Sequence, residues 1–248
     1  KPNIVIICVT PSETKKVCLK ILKYKCHVLI EKPVGLNLKE NKFILKIANK
    51  YKNKIFVALN RRYFSSTSKL ISKLNKNNSK RIVNIFDQEN TLAAKKNGHS
   101  KKVIKNWMFA NSIHLIDFFS ILCRGKIKKI SKEKKQLNYN EHYIIVNIEF
   151  SSGDLGVYHA YWNRPAPWKI TVSCDKSFFY MSPIENLYEM DIKRKIINYK
   201  LTQVDKKYKP GFYMMIRDLI NMYKKNKNNL VSVKKNLETM KLIDKLYT

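Results

Sequence analysis

Two short segments carry the residue types that could do chemistry. In Glu31-Lys32-Pro33 a lysine stands where the apolar run His27-Val28-Leu29-Ile30 stops and the chain turns away. Ligands of open α/β sheets bind outside the carboxyl ends of the strands, so a cation there meets a cofactor or a substrate. An ammonium at that place donates to a reacting hydroxyl and stabilises the alkoxide that develops. In Asn111-Ser112-Ile113-His114-Leu115-Ile116-Asp117 a histidine interrupts an otherwise apolar helix. A neutral imidazole suits proton transfer near pH 7. Each residue also has a plain reading: a satisfied core histidine, and one more surface lysine. The strand end favours function for Lys32. Together the two segments predict an enzyme that moves a proton and a hydride. Asp117, one turn after His114, is placed to touch the histidine or the substrate. Arg164, in Trp162-Asn163-Arg164-Pro165 at a strand end, is placed to bind an anionic substrate group.

The elements that position these residues follow from hydrophobic periodicity. Residues 4–9 read as a fully buried strand of a parallel sheet. Thr10-Pro11-Ser12 follows, with Ser12 as N-cap of a helix to about residue 24. Residues 27–30 and 55–59 are further strands. Between them residues 38–51 form a helix with Phe43, Ile44, Ile47 and Ala48 on one face. The order β-α-β-α-β implies parallel strands. Residues 66–75 form another helix. After Arg81 the style changes: strands at 81–90, 127–137, 143–150, 155–162, 169–174 and 177–181 come with few helices between them. Ser152-Gly153-Asp154 reads as a hairpin turn. Residues 91–105 look like a polar loop, 111–122 like one helix, and helices at 211–225 and 233–246 close the sequence. The fold class is thus α/β plus α+β. Residues 1–62 are part of a dinucleotide-binding domain, and residues 63–248 form an α+β domain for substrate binding and oligomerisation, with a mostly antiparallel sheet.

Composition bounds the partners. Fifty basic and 18 acidic residues give the 248-residue chain a net charge of +32. A nucleic-acid binder clusters its positive charge, often as Arg. Here Lys is scattered through every segment, helix backs such as Lys39, Lys42 and Lys46 included, which speaks for compositional drift and against nucleic acid. No apolar run is long enough to span a membrane. Five Cys without a C-x-x-C, with Cys8, Cys18 and Cys123 inside apolar patterns, look like reduced core residues of a cytosolic protein, not a zinc or disulfide framework. No metal site is expected.

From Asn3-Ile4-Val5-Ile6-Ile7 through Thr10-Pro11 to His27-Val28-Leu29-Ile30-Glu31-Lys32-Pro33, the sequence resembles the Gfo/Idh/MocA oxidoreductase family, the glucose–fructose oxidoreductase and inositol dehydrogenase type. Asn60-Arg61-Arg62-Tyr63-Phe64 after a strand, and His114-Leu115-Ile116-Asp117, extend the resemblance over essentially the whole chain. It implies an N-terminal Rossmann domain for NAD or NADP and a second domain for a sugar, sugar derivative or cyclitol. It also implies a homo-oligomer formed through the open face of the second sheet, and a place in carbohydrate metabolism. It places catalysis on Lys32 and His114. Thr10, Pro11, Glu31, Lys32, Pro33, Asn60 and Arg61 are the implied cofactor contacts, and Asn111, Asp117 and Arg164 the expected substrate contacts. Two departures stand out. Ala110 occupies the position, four residues before the histidine, where many members carry Asp. The family's opening strand, glycine-rich loop, helix and second strand do not precede Lys1, and no G-x-G-x-x-G occurs anywhere. The expectation is therefore a fragment of a dehydrogenase, inactive alone and without tight NAD(H) binding. The alternatives are a non-catalytic binding or oligomerisation module of the same family and, behind it, a basic nucleic-acid binder.

Overall fold

The computed structural model describes residues 2–51 and 54–248; Lys1, named above as the first residue, lies outside them. In chain order the first elements are β1 (Ile4–Ile7), α1 (Thr14–Ile21), β2 (His27–Glu31), α2 (Leu38–Lys50), β3 (Lys54–Ala58), α3 (Ser65–Leu74) and β4 (Arg81–Glu89). Short helices α4 (Thr91–Lys96), α5 (Lys101–Lys105), α6 (Ile113–Ile116) and α7 (Phe119–Leu122) follow. Then come β5 (Ile127–Gln136), β6 (His142–Phe150), β7 (Leu155–Trp162), β8 (Lys169–Cys174), β9 (Ser177–Met181), β10 (Leu187–Asp191) and β11 (Ile196–Tyr199). The chain closes with α8 (Gln203–Lys207), α9 (Phe212–Lys225), β12 (Val231–Ser232) and α10 (Val233–Tyr247). Two compact units result.

The first unit comprises Lys1–Asn60, Asn97–Ile113 and Phe212–Thr248. Its sheet has the order β1-β2-β3-β12, with β1, β2 and β3 parallel and β12 antiparallel to β3. Strand β2 is the centre: Val28, Leu29 and Ile30 are buried because a parallel strand is covered on both faces. Strand β1 is shorter and less buried than its apolar run suggests. Only Ile7 is inside, Ile6 is 49% exposed, and Cys8 is exposed and not part of the core. The reason is its place at the end of the strand order. Ser12 is not the N-cap of α1. Glu13 N donates to Thr10 O, so Thr10–Glu13 closes a turn and the helix begins one residue later, at Thr14 with Glu13 as N-cap. Helix α2 is capped as its sequence demands: Asn37 Oδ1 accepts from Glu40 N, and Glu40 Oε2 accepts from Leu36 N. Gly35 permits that return, since a Cβ there would meet Glu40 Cβ at 2.7 Å. On α2 the inward stripe is Asn41, Ile44 and Ala48, and Phe43 is turned outward. Helix α10 packs against α2 and β3 through an apolar stripe that includes Val233, Met240, Ile243 and Leu246. That stripe, with β12 on β3, joins the closing helices to the first unit; a sequence division at residue 62 placed them in the second.

The second unit comprises Arg61–Lys96 and His114–Gly211. Its eight-stranded sheet runs β11-β10-β9-β8-β4-β7-β6-β5. Every pairing is antiparallel except β4 with β7. One face is buried, as the alternation along β4 and β7 requires. There Phe119 of α7 lies over Gly156 so closely that a Cβ on the glycine would meet its ring at 2.8 Å. The β6–β7 turn is tied down by Asp154, whose carboxylate accepts from Arg81 N (2.9 Å), Arg124 N (2.8 Å), Arg124 Nε (3.0 Å) and Arg124 Nη2 (2.7 Å). The buried Arg81 guanidinium donates in turn to Leu122 O and Leu74 O. Residues 91–105 are two short helices rather than a loop, the second capped by Ser100 Oγ. Strands β10 and β11 and helix α8 have no counterpart in the periodicity reading. Among the described residues, no helix is long and apolar enough to cross a membrane.

Candidate active site

Lys32 is placed by the strand that precedes it. Register with β3 continues through Glu31↔Ala58, and the chain leaves the sheet at a cis Lys32–Pro33 bond. The lysine side chain crosses to residues far along the sequence: Nζ donates to the Ala110 carbonyl at 2.7 Å. The loop after Pro33 reaches the same place. Leu36, Val103 and Ala110 form a buried apolar cluster with Trp107 against it. Lys102 Nζ lies 3.6 Å from Glu40 Oε1, and the His99 ring meets Trp107 edge-on. The Glu-Lys-Pro loop meets residues 103–110 through a charged hydrogen bond and an apolar cluster, and the first turn of α2 meets Lys102 through an ion pair.

Ala110 sits in a π-helical segment, Met108–Ser112, that runs directly into α6. The single helix expected over residues 111–122 is thus three pieces: a π segment, α6, and α7 after a break. His114 is on α6 and only 9% exposed, while Ile113, Leu115 and Ile116 are fully buried. The apolar residues carry the packing of α6.

Asp117 is engaged by a neighbour that the sequence reading did not single out. Arg62 donates to it through Nε (2.6 Å) and Nη2 (2.7 Å), and also to Ser120 Oγ. Both side chains are nearly buried, so the bidentate pair is a fixed part of the second unit. Arg61 turns to the same unit: its guanidinium lies 4.2 Å over the Trp168 ring. Burial lowers its pKa to about 10, against the raising pull of Asp87, Glu185 and Glu89, so it stays charged. Asp87 and Glu89 are both fully buried, and Asp87 accepts from the Tyr158 hydroxyl at 2.7 Å. Their signal in the sequence was parity. They continue the inward positions Arg81, Val83 and Ile85 of β4, where acids are out of place. Asn60 opens a 3-10 turn, Asn60–Tyr63, directly after β3. Thr10, Pro11 and Ser12 lie past the carboxyl end of β1, with the Thr10 and Ser12 hydroxyls 3.4 Å apart and exposed. Arg164 stands apart from these groups; half exposed, it pairs with Glu141 at 3.6 Å. Among the described residues no cluster of His, Cys, Asp and Glu could hold a metal.

Residues 1–59 match an oxidoreductase family described by its NAD-binding Rossmann fold, GFO_IDH_MocA. Solved dehydrogenase structures share the fold over essentially the whole chain. A dehydrogenase from Chromobacterium violaceum superimposes with a TM-score of 0.82 over 100% of this chain and 76% of its own, at 14% identity. UDP-N-acetylglucosamine 3-dehydrogenase GnnA from Acidithiobacillus ferrooxidans gives 0.77 over 98% and 77%, at 10% identity. The WlbA dehydrogenase from Bordetella pertussis, in complex with NADH and UDP-GlcNAcA, gives 0.74 over 100% and 76%, at 11% identity. No curated protein matches by sequence. Hydrogen-bonding groups stand at the three strand ends: the Thr10 and Ser12 hydroxyls after β1, a lysine after β2 and a polar turn after β3.

Proposed function

We propose that the protein is an NAD(P)-dependent oxidoreductase that acts on a hydroxyl-bearing carbon of a sugar, sugar derivative or cyclitol. The observation that carries this reading is the Lys32–Ala110 bond. It joins the Glu-Lys-Pro segment to the helical run that leads into His114, two stretches 78 residues apart. Two of the structural relatives, a UDP-N-acetylglucosamine 3-dehydrogenase and the WlbA dehydrogenase in complex with UDP-GlcNAcA, support the substrate class. When bound, the nicotinamide exchanges a hydride with the substrate carbon. His114 takes the hydroxyl proton in oxidation and returns it in reduction. Lys32 is a charged N–H donor at the end of a strand, the kind of group that stabilises a developing alkoxide. Thr10, Pro11, Glu31, Pro33, Asn60 and Arg61 hold the cofactor, and Asn111 contacts the substrate. In this reading Asp117 acts on the substrate side by keeping Arg62 in place, and Arg164 meets an anionic group. Buried thiols at Cys18, Cys26 and Cys174 support a cytoplasmic, reducing location.

Full-length protein incubated with NAD or NADP is expected to reduce the nicotinamide in the presence of UDP-N-acetylglucosamine, its uronic acid, glucose or inositol. Cofactor binding without turnover of any CH–OH substrate would favour the second reading, a non-catalytic relative. Ala110 favours that reading, because its side chain contributes a methyl to an apolar cluster where a carboxylate would orient the histidine.

We also propose self-association through the open face of the second sheet. Ile145, His159, Phe86 and Lys169 stand in register across four strands there. The His159 ring stacks on Phe86 at 4.6 Å, and its Nδ1 lies 3.0 Å from the Tyr143 hydroxyl. Tyr161, Tyr180 and Tyr188 extend the same half-buried aromatic surface, which is the kind of patch interfaces use. Sedimentation equilibrium is expected to give at least twice the chain mass, and Tyr161→Glu to shift it towards one chain. A single-chain mass for the wild type at micromolar concentration would remove this proposal.

A further inference from the structure

We propose that the second unit pairs with a second copy of itself about a two-fold axis along β7, with His159 on the axis, and that protonation of His159 releases the pair. This rests on the self-association reading above and adds to it a geometry and a control. The register fixes which residues share the open face. One row across five strands reads Glu133, Ile145, His159, Phe86 and Lys169. Neighbouring strands stand about 4.8 Å apart, so Glu133 and Lys169 lie on opposite sides of His159, each roughly 10 Å away. A closed pair of identical faces needs a two-fold axis in the plane of contact. An axis across the strands sets Glu133 against Glu133 and Lys169 against Lys169. An axis along β7 sets Glu133 of each copy against Lys169 of the other, and Ile145 against Phe86. The neighbouring rows favour the same axis. On one side Tyr143 meets Gln88; on the other Asn147 meets Asn84 and Ser131 meets Thr171. The match ends one row further, where Glu149 stands against Ile82, and that row is the edge of the contact.

A residue on a two-fold axis meets its own copy, so this axis brings two His159 rings together. Each ring is already hemmed in within one chain. It stacks on Phe86 at 4.6 Å, and its Nδ1 lies 3.0 Å from the Tyr143 hydroxyl. Burial, helped by Tyr161, pushes the Tyr143 pKa up to about 12, so this hydroxyl keeps its proton and donates it to the neutral imidazole. Burial also lowers the pKa of His159 below its ordinary value. The charged and titratable groups that face the ring are Glu133 and Lys135 from β5, Tyr143 from β6, Tyr161 from β7 itself and Lys169 from β8, while β4 presents Phe86 and Gln88. The acid among them, Glu133, pairs with Lys135 at 3.1 Å. In the pair both rings lose water, and two imidazolium charges there stand face to face. The paired state therefore binds protons more weakly than the single copy. A pKa that is lower in the pair leaves association at full strength above the single-copy pKa and weakens it as pH falls below, with up to two protons taken up per pair released.

The test is sedimentation equilibrium of the full chain at pH 7.5 and pH 5.0, for wild type, His159→Gln, Glu133→Lys, Lys169→Glu and the double charge reversal. The wild-type dissociation constant is expected to rise about tenfold or more from pH 7.5 to pH 5.0. In His159→Gln it is expected to stay within about threefold over the same interval. His142→Gln is the control: His142 shares the covered face of β6 with Ile144 and stacks on Trp162, so the variant is expected to keep the wild-type pH dependence. At pH 7.5 each single charge reversal is expected to weaken the pair about tenfold, and the double reversal to restore most of the loss. Should His159→Gln misfold, His159→Phe, which keeps a ring on Phe86, takes its place with the same expectation. A wild-type pair equally tight at both pH values would overturn the release and leave self-association standing. A double reversal no tighter than the single ones would overturn the axis. Single chains under all conditions would remove the self-association reading and this inference with it. None of these readouts needs cofactor or substrate, so the dehydrogenase reading stands or falls separately.

Discussion

His114→Ala is expected to lower kcat for nicotinamide reduction by a factor on the order of 10² or more, which corresponds to about 2.7 kcal/mol of lost transition-state stabilisation. The fold should survive the change. His114 lies on α6 between Ile113 and Leu115, and with Ile116 these fully buried residues hold the helix in place. Alanine is the best helix former, so the local backbone gains if anything. The imidazole's contribution then shows as kcat and kcat/KM falling together, the pattern of an interaction made mainly in the transition state. Added imidazole should restore part of the rate at high concentration. The control is His99→Ala. His99 is exposed and meets only the edge of Trp107, so its loss should leave kcat within about twofold. A His114→Ala enzyme within threefold of wild type at saturating substrate would remove the residue from proton transfer.

The largest stability effect is expected at Asp154, which is remote from that chemistry. Asp154→Asn should lower the unfolding free energy of the second unit by about 3–5 kcal/mol, read from denaturant midpoints followed by Trp162 and Trp168 fluorescence. The carboxylate is almost completely buried and accepts from the backbone and side chain of Arg124 and from the backbone of Arg81. An amide has one oxygen for those donors and leaves the two guanidinium groups without their counter-charge. The effect has a pH signature. Burial alone would push the Asp154 pKa up; the hydrogen bonds from Arg124 and Arg81 outweigh it and hold the group at about 2. An unfolded Asp titrates near 3.9. A folded pKa below the unfolded one stabilises the fold above the unfolded value, and that stabilisation is lost as pH falls from about 4 through 2. It is worth about 2.6 kcal/mol at one pKa unit per 1.36 kcal/mol. Wild type and variant should therefore converge by about that amount between pH 5 and pH 2. A constant gap across the range would mean that Asp154 is not held ionised by its partners.

What was legible in the sequence follows from where one physical signal dominates. Strands β7 and β9 have the bounds that alternation predicts, because one face of each is more buried than the other, and β8 has the bounds of its apolar run. The parallel order of β1, β2 and β3 followed from the helices between them. Strands β10 and β11 were not legible: Tyr188, Glu189 and Asn198 mix with apolar residues, and β11 is mostly exposed at the end of the strand order. The partner of an amphipathic helix was not legible either. The stripe of α10 says that it packs, and only the structure says that it packs on α2 and β3. In the candidate site, Lys32 and His114 stood out by type and place. The carbonyl that receives Lys32 could not stand out, because a main-chain acceptor has no residue type. Arg62 was hidden for another reason: its value lies in a bidentate match to Asp117 across 55 residues, which no local pattern encodes.

The pairing of β12 with β3 bears on the order of events at the ribosome. Val231 sits opposite Val57, and α10 lies on a helix made from residues 38–50. Strands β1 to β3 emerge early in translation, yet their last partner emerges only after the whole eight-stranded sheet has been made. The first unit can therefore not finish first, although its residues come first. The nascent first sheet must wait, with one of its edges uncovered and open to wrong partners, while the second unit emerges and folds. The sequence interval between β3 and β12 is thus also a period of exposure, and its length is set by how fast residues 61 to 211 are synthesised.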